Sequence, residues 1–465
     1  MTDAHWLSIA EIGRRYRSGA LHPRAYVEGL IDRVRTLDGK LGAFLKLDAA
    51  AALDAADRAA GELRESVDRG PLHGIPVGIK DIVAVAGDAT TAHSSVHDPN
   101  PARADAFVVA KLRAAGAIPF GKLALHEHAI GGPSFDLPAP PARNPWDLAA
   151  MPGGSSSGSG AALAAGLLPA ALGTDTGGSI RGPAGFCGVA GLKPTYGRVG
   201  RRGVLPLAWS LDHVGPMTRD VRDNALLLGA IAGHDPHDPT SLADADEDFA
   251  RDIGKPIAGM TVAYARVWHT RDVAAERETA AGMDAAAEAF RRLGAKVVEI
   301  DPGPFAVYGS TNWAILASEA FAIHAADLRA RPEAYGARAR ELISAGAFVS
   351  AADYLRCLRA RATLKAKMDA ILGAHDALLC AGAGLPPCRI DDKDAVQKLL
   401  QASLRGAFNL TGHPAIAVPA GFDGRGLPLS FQLASAARTE AKLYRLAAAY
   451  EAAHDWGARK PAEFI

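Results

Sequence analysis

The apolar positions of this chain change period several times, and each change predicts a change of element. Tyr26, Leu30, Val34 and Leu37 recur at helical spacing behind Pro23, and an alanine-rich stretch over 49–63 follows, so the first 70 residues read as helical. A short apolar run over 75–79 then predicts a strand that delivers Lys80 and Asp81 at its end. Beyond it the pattern predicts a helix over 105–115, strands over 117–120 and 170–173, a helix over 221–232, a strand over 260–265, a helix over 274–293 and a strand over 296–300. The last third predicts a helix over 355–372, strands over 377–380, 415–418 and 429–433, and a closing helix over 440–453. This alternation implies an α/β fold, a single large mixed β-sheet surrounded by helices, with a helical lead-in over 1–70 and one continuous domain over 71–465. The proline-rich stretch 133–147 and the acidic, turn-rich stretch 233–248 are too short to act as interdomain linkers, and no internal repeat is present.

Composition narrows the classes. The 465 residues are 49% hydrophobic, enough for a large core, and disorder is excluded. Lys+Arg and Asp+Glu balance at 51 each, so the basic excess of a nucleic-acid binder or polybasic membrane anchor is missing. Cys187, Cys357, Cys380 and Cys388 form no CxxC pair, which leaves no zinc knuckle and fits a reduced, cytoplasmic chain. Residues 1–19 carry Asp3 and Glu11 and lack signal-peptide order, while the longest apolar run, about 12 residues over 161–172, is short of the ~20 that span a bilayer.

One tract asks for a chemical explanation: MPGGSSSGSGAALAAG at 151–166, followed by LGTDTGGSIRGPAGFCGVAGLKPTYGRVG at 172–200. A phosphate loop needs Lys and Ser/Thr where Ser159 and Gly160 stand, and a dinucleotide fingerprint needs glycine where Leu163 stands. Gly154 to Gly158 satisfy GxSxG around Ser156, the nucleophile elbow of α/β-hydrolases, although no strand precedes it. Lys80 offers another chemistry. A lysine at the end of a buried strand has reason to lose its charge and act as a base for a serine, or else it pairs with Asp81 at the rim. Thr176, Gly177, Gly178 and Ser179 let successive backbone N–H groups converge on an anion, or form an ordinary glycine turn.

Together these segments resemble the amidase signature family. PLHGIPVGIKD at 71–81, GGSSSGSGAALAAG at 153–166 and the 172–199 block carry the resemblance, supported by SLDHVGPMTRDVRD at 210–223 and NLTGHPAIAVPAGFDGRGLPLSFQL at 409–433. The match is weakest between about residues 240 and 375. The resemblance implies the amidase signature fold and a Ser–cis-Ser–Lys triad, with Ser179 as nucleophile, Ser155 as bridging serine and Lys80 as base. It further implies an oxyanion and substrate-binding set of Thr176, Gly177, Gly178, Ser179 and Ala129, a cis peptide bond between Gly154 and Ser155, and loop-packing roles for Ser156 and Ser157. No cofactor and no metal are implied.

Departures from the family pattern bear on specificity. His126 and His128 lie where the general pattern has neither; an HxH strand would place both imidazoles on one face, but no third metal ligand is evident, and a polar loop pair is the simpler reading. Lys122 reads as structural, and Asp175 and Arg181 either orient the glycine loop or form a plain ion pair. The block at 376–387 lacks the Ser/Thr-Pro pattern common in the family. The leading expectation is a free-standing hydrolase of a small carboxamide, with esters or carbamates also open, no nucleic-acid or membrane partner, and room for a homodimer. The alternative is the glutamine-hydrolysing component of a tRNA-dependent amidotransferase, which shares the signature.

Overall fold

The computed structural model describes residues 4–97, 100–244 and 247–465. At its centre lies a mixed sheet of 11 strands. From edge to edge they are β1 (Phe44–Lys46), β3 (Ile118–Leu123), β2 (Pro76–Lys80), β4 (Ala170–Asp175), β6 (His213–Thr218), β5 (Ala190–Lys193), β10 (Ala415–Phe422), β11 (Pro428–Ala434), β9 (Ala377–Ala381), β7 (Thr261–Tyr264) and β8 (Lys296–Glu299). β2 runs parallel to β3 and β4, β7 runs parallel to β8 and β9, and the other neighbours are antiparallel. The expected mixed sheet surrounded by helices is therefore present.

In chain order the helices are α1 (Ile9–Arg17), α2 (Pro23–Leu41), α3 (Ala49–Arg64), α4 (Phe107–Ala114), α5 (Ser157–Ala164), α6 (Arg181–Cys187) and α7 (Val221–Ile231). The second half adds α8 (Arg277–Arg292), α9 (Phe305–Ala330), α10 (Ala337–Ser344), α11 (Ala351–Ala374), α12 (Lys393–Gln401), α13 (Gly406–Thr411) and α14 (Glu440–Ala452). Local chemistry sets several ends: Ser8 Oγ accepts from Glu11 N–H at 3.1 Å, Pro23 opens α2, and Asp48 Oδ1 accepts from Ala51 N–H at 3.0 Å. Among the described residues no helix is long and apolar enough to cross a membrane.

The strands that carry the candidate site are sealed. Every residue of β2 and of β4 is buried, which is the expected state of strands with sheet on both sides and helices on the faces. Helix α5 is buried along its whole length because its residues are small: a Cβ on Gly158 would lie 2.4 Å from Ala43 O and 2.7 Å from Ala124 N. The Ser/Gly tract is thus explained by close helix-to-strand passage rather than by a phosphate.

Two differences from the sequence reading stand out. The first 70 residues are not wholly helical, since β1 pairs with β3 and forms the edge of the sheet. The 26-residue helix α9, the longest in the described chain, has no counterpart in the sequence pattern: its apolar residues occur on several faces, because α10, α11 and α13 pack around it and remove the polar stripe that periodicity needs.

Candidate active site

Lys80 closes β2 with its side chain wholly out of solvent, at 0% exposure. Its Nζ stands 2.9 Å from Ser155 Oγ, 2.9 Å from Ser156 Oγ and 2.7 Å from Thr174 Oγ1. Among the described residues no carboxylate pairs with it. Burial pulls its pKa from the usual lysine value down to about 7, against a weaker upward pull from Asp175 and Asp212. Asp81, the neighbour expected as a rival partner, is instead paired with Lys122 Nζ at 3.0 Å and accepts from Thr91 N–H at 3.0 Å. Lys122 also donates to Val83 O at 2.7 Å, so its role is structural.

The hydroxyls around Lys80 sort themselves by their other bonds. Ser156 Oγ accepts from Thr174 N–H at 3.2 Å and donates to Thr174 O at 3.3 Å, so its own proton is directed away from the amine. A neutral amine has two N–H donors and one lone pair. Donation to Ser156 and Thr174 leaves that lone pair for the Ser155 hydroxyl. Ser156 is fully buried, out of reach of any substrate, which excludes the elbow reading; its place beneath Lys80 also corrects the expectation that it only packs the loop.

Ser155 is held from two sides. The Gly154–Ser155 peptide bond is cis, and His126 N–H donates to Ser155 O at 3.0 Å. Ser156 N–H donates to Ser179 O at 3.2 Å and ties this loop to the next. Ser179 is only half-buried, so its hydroxyl is the accessible one of the set. Among the described residues no hydrogen bond joins the Ser155 and Ser179 hydroxyls.

The glycine loop is built on Asp175, the last residue of β4. Its carboxylate accepts from Gly178 N–H at 2.7 Å and Ile180 N–H at 3.1 Å, and Gly178 takes φ +126°, which favours glycine. The expected set of oxyanion donors therefore needs a correction: the Gly178 N–H is spoken for. The N–H groups of Gly177 and Ser179 have no partner among the described residues and remain open to an anion. Arg181, wholly buried, bonds Asp175 at 3.0 Å, Asn409 Oδ1 at 2.7 Å and Gln432 Oε1 at 2.8 Å. Burial by itself would raise the Asp175 carboxyl, but Arg181 beside it holds it well below the usual range.

A cavity of about 270 Å³ opens beside the loop, lined by Ala129, Thr174, Thr176, Val204, Leu205 and Trp209 among others. Thr176 Oγ1 donates to Asp212 Oδ1 at 2.6 Å, and burial pushes the Asp212 carboxyl up to about 6. Ala129, expected near substrate, thus lines the cavity, while its own N–H is engaged by His126 O at 2.8 Å.

His126 and His128 do not share a strand face, because β3 ends at Leu123 and the segment turns. The His126 ring packs against Gly154, whereas His128 meets His97 and His324 edge-on, with ring centroids 5.1 and 4.4 Å away. Among the described residues no group of three or more His, Cys, Asp or Glu is arranged to hold a metal ion. Sequence reasoning brought Lys80, Ser155 and Ser179 to one place. It did not single out Thr174 and Asp212, although both lie within the motif blocks at 172–199 and 210–223.

Comparison with known proteins gives a consistent picture. The family model described as Amidase matches residues 25–444. The A subunit of glutamyl-tRNA(Gln) amidotransferase from Chromohalobacter salexigens is 37% identical, covering 98% of this chain and 99% of that protein. Among solved structures, native peptide amidase from Stenotrophomonas maltophilia superposes with a TM-score of 0.85 at 30% identity, over 96% of both chains. The corresponding glutamyl-tRNA(Gln) amidotransferase component of Thermotoga maritima superposes with a TM-score of 0.80 at 31% identity, over 96% of this chain and 94% of that one.

Proposed function

The chain belongs to the amidase signature family of enzymes that act on amide C–N bonds, and from that premise we propose that it cleaves a carboxamide through an acyl-enzyme on Ser179. Neutral Lys80 takes the proton of Ser155, which takes that of Ser179, and the freed oxygen attacks the carbonyl carbon. Negative charge then develops on the carbonyl oxygen and meets the N–H groups of Gly177 and Ser179. As the C–N bond breaks, the proton returns from Lys80 through Ser155 to the leaving nitrogen. Water repeats the sequence on the ester, releasing the acid and restoring Ser179. Ser155 and Lys80 are the relay and base, Thr174 and Ser156 orient the amine, and the scheme uses no cofactor.

The observation that carries this reading is the buried amine of Lys80, unpaired with any carboxylate among the described residues and 2.9 Å from Ser155 Oγ. A fluorophosphonate should label Ser179 and no other serine, as read by peptide mass spectrometry; labelling at Ser156, or none anywhere, would reject the scheme.

Within this chemistry a second reading has specific support. Relatives 35–38% identical over nearly the whole chain bear the name of the glutamyl-tRNA(Gln) amidotransferase component, and their names favour it over the free-standing hydrolase expected from the sequence. In that reading glutamine is the amide and the ammonia serves a partner protein. Glutaminase activity that rises on adding the other components of such a complex supports it; full turnover of simple amides by the chain alone supports the hydrolase.

A further inference from the structure

We propose that Arg405, with Asn312, forms a carboxylate-binding subsite beside the glycine loop, so that the substrate is the amide of an acid carrying a second, ionised carboxyl group. The proposal rests on the reading of Ser179 given above and goes on to name the substrate class.

Arg405 immediately precedes α13 and is 8% exposed. Among the described residues its guanidinium donates no hydrogen bond and forms no ion pair, which no other arginine buried at this site shares: Arg181 is bonded on all sides. The Arg405 carbonyl accepts from Arg181 Nη1 at 3.0 Å, and its guanidinium carbon lies 5.3 Å from the centroid of Phe186. That ring contact engages the cation but meets none of its N–H donors. Asp175, the carboxylate that acts on Arg405 through space, is already taken by Arg181, Asn409 and backbone N–H groups.

Position turns this into a site. A Cβ placed on Gly178 would lie 2.9 Å from Arg405 Nε, and one on Gly182 would lie 3.3 Å from its Cζ, so the side chain rests against the loop that carries Ser179 and the first turn of α6. Asn312, from α9, reaches the same loop. It is 5% exposed, its Nδ2 stands 3.5 Å from Thr176 O, and its Oδ1 is sealed from solvent without a partner among the described residues. A Cβ on Gly177 would lie 3.4 Å from Asn312 Nδ2 and one on Gly406 3.5 Å from it, so the two side chains flank one glycine pair from distant parts of the chain.

Burial lowers the Arg405 pKa to about 10, and the group still carries its charge at neutral pH. Unlike Asn312 Oδ1, the Arg405 guanidinium nitrogens are not sealed from solvent, and a planar carboxylate satisfies a guanidinium through two parallel hydrogen bonds. Asn312 packs on Gly177 and forms the neighbouring wall of the subsite.

The test compares isosteric amide pairs on the purified protein: glutaramate against pentanamide, and succinamate against butanamide. The carboxylate member should have the larger kcat/KM by about 100-fold, and Arg405→Met should bring that ratio close to one, with Arg405→Lys intermediate. Isothermal titration with glutarate needs no turnover: it should show binding to the wild type and none to Arg405→Met. A wild-type ratio within about threefold of one, or a ratio and glutarate affinity that Arg405→Met leaves unchanged, would overturn the subsite. Should Arg405→Met not fold, the wild-type ratio and Arg405→Lys decide. Loss of labelling at Ser179 with glutarate binding intact would reject the acyl-enzyme scheme and keep the subsite.

Discussion

Two buried cations stand on either side of the glycine loop, and their surroundings differ in kind. Lys80 has three hydroxyl partners within 2.9 Å, and burial brings its pKa to about 7, where the amine can discharge. Arg405 has no hydrogen-bonding partner for its guanidinium among the described residues, and a guanidinium cannot escape its charge by losing a proton near neutral pH. The first environment is complete within the chain and suits a proton relay. The second leaves donors open to a group from outside, which suits recognition of an anion.

The largest expected effect separates the two. Ser179→Ala should lower turnover by roughly 10⁴-fold or more, because the atom that forms the ester is gone, while glutarate binding persists. If that variant retained turnover and Ser156→Ala were dead, the roles of the two serines would be reversed.

Next comes Lys80→Arg, which fixes a permanent charge and removes the base, with a loss of about 10²- to 10⁴-fold in kcat. The wild-type pH profile carries the same information. Below about pH 7 Lys80 is protonated and cannot accept from Ser155, so kcat should climb as pH rises through that value and level off above it. A rate that falls over this interval would remove Lys80 as the base.

Arg181→Met addresses stability. It strands the Asp175 carboxylate in the core and should cost about 3–5 kcal/mol, read by denaturant unfolding. The smallest effect should come from Ser156→Ala, at about 1–3 kcal/mol of stability, since Thr174 N–H and one Lys80 donor lose their acceptor. A rate loss as deep as that of Ser179→Ala would place Ser156 inside the relay.

Much of this was legible along the chain, and for identifiable reasons. The strands carrying Lys80 and Asp175 are short apolar runs, and α2, α3, α8 and α14 keep a polar face that gives them a readable period. Lys80, Ser155 and Ser179 each sit in a contiguous motif, so a linear pattern sufficed to nominate them. β1 was obscured by its length of 3 residues, and α9 by packing on several sides.

By itself the sequence determined the alternating α/β order, the Ser/Gly tract and the residues nominated for chemistry, because each depends on neighbours within a few positions. Only the tertiary structure decided which serine is accessible, which N–H groups are free and which cations are partnered. Gly178 looks identical to Gly177 as a letter, yet Asp175 occupies its N–H. Arg405 and Asn312 come to one loop from distant segments, and their unmet donors and acceptor exist only once the chain has folded around them. Hydrogen-bond satisfaction belongs to the whole packed interior, and no local stretch of sequence encodes it.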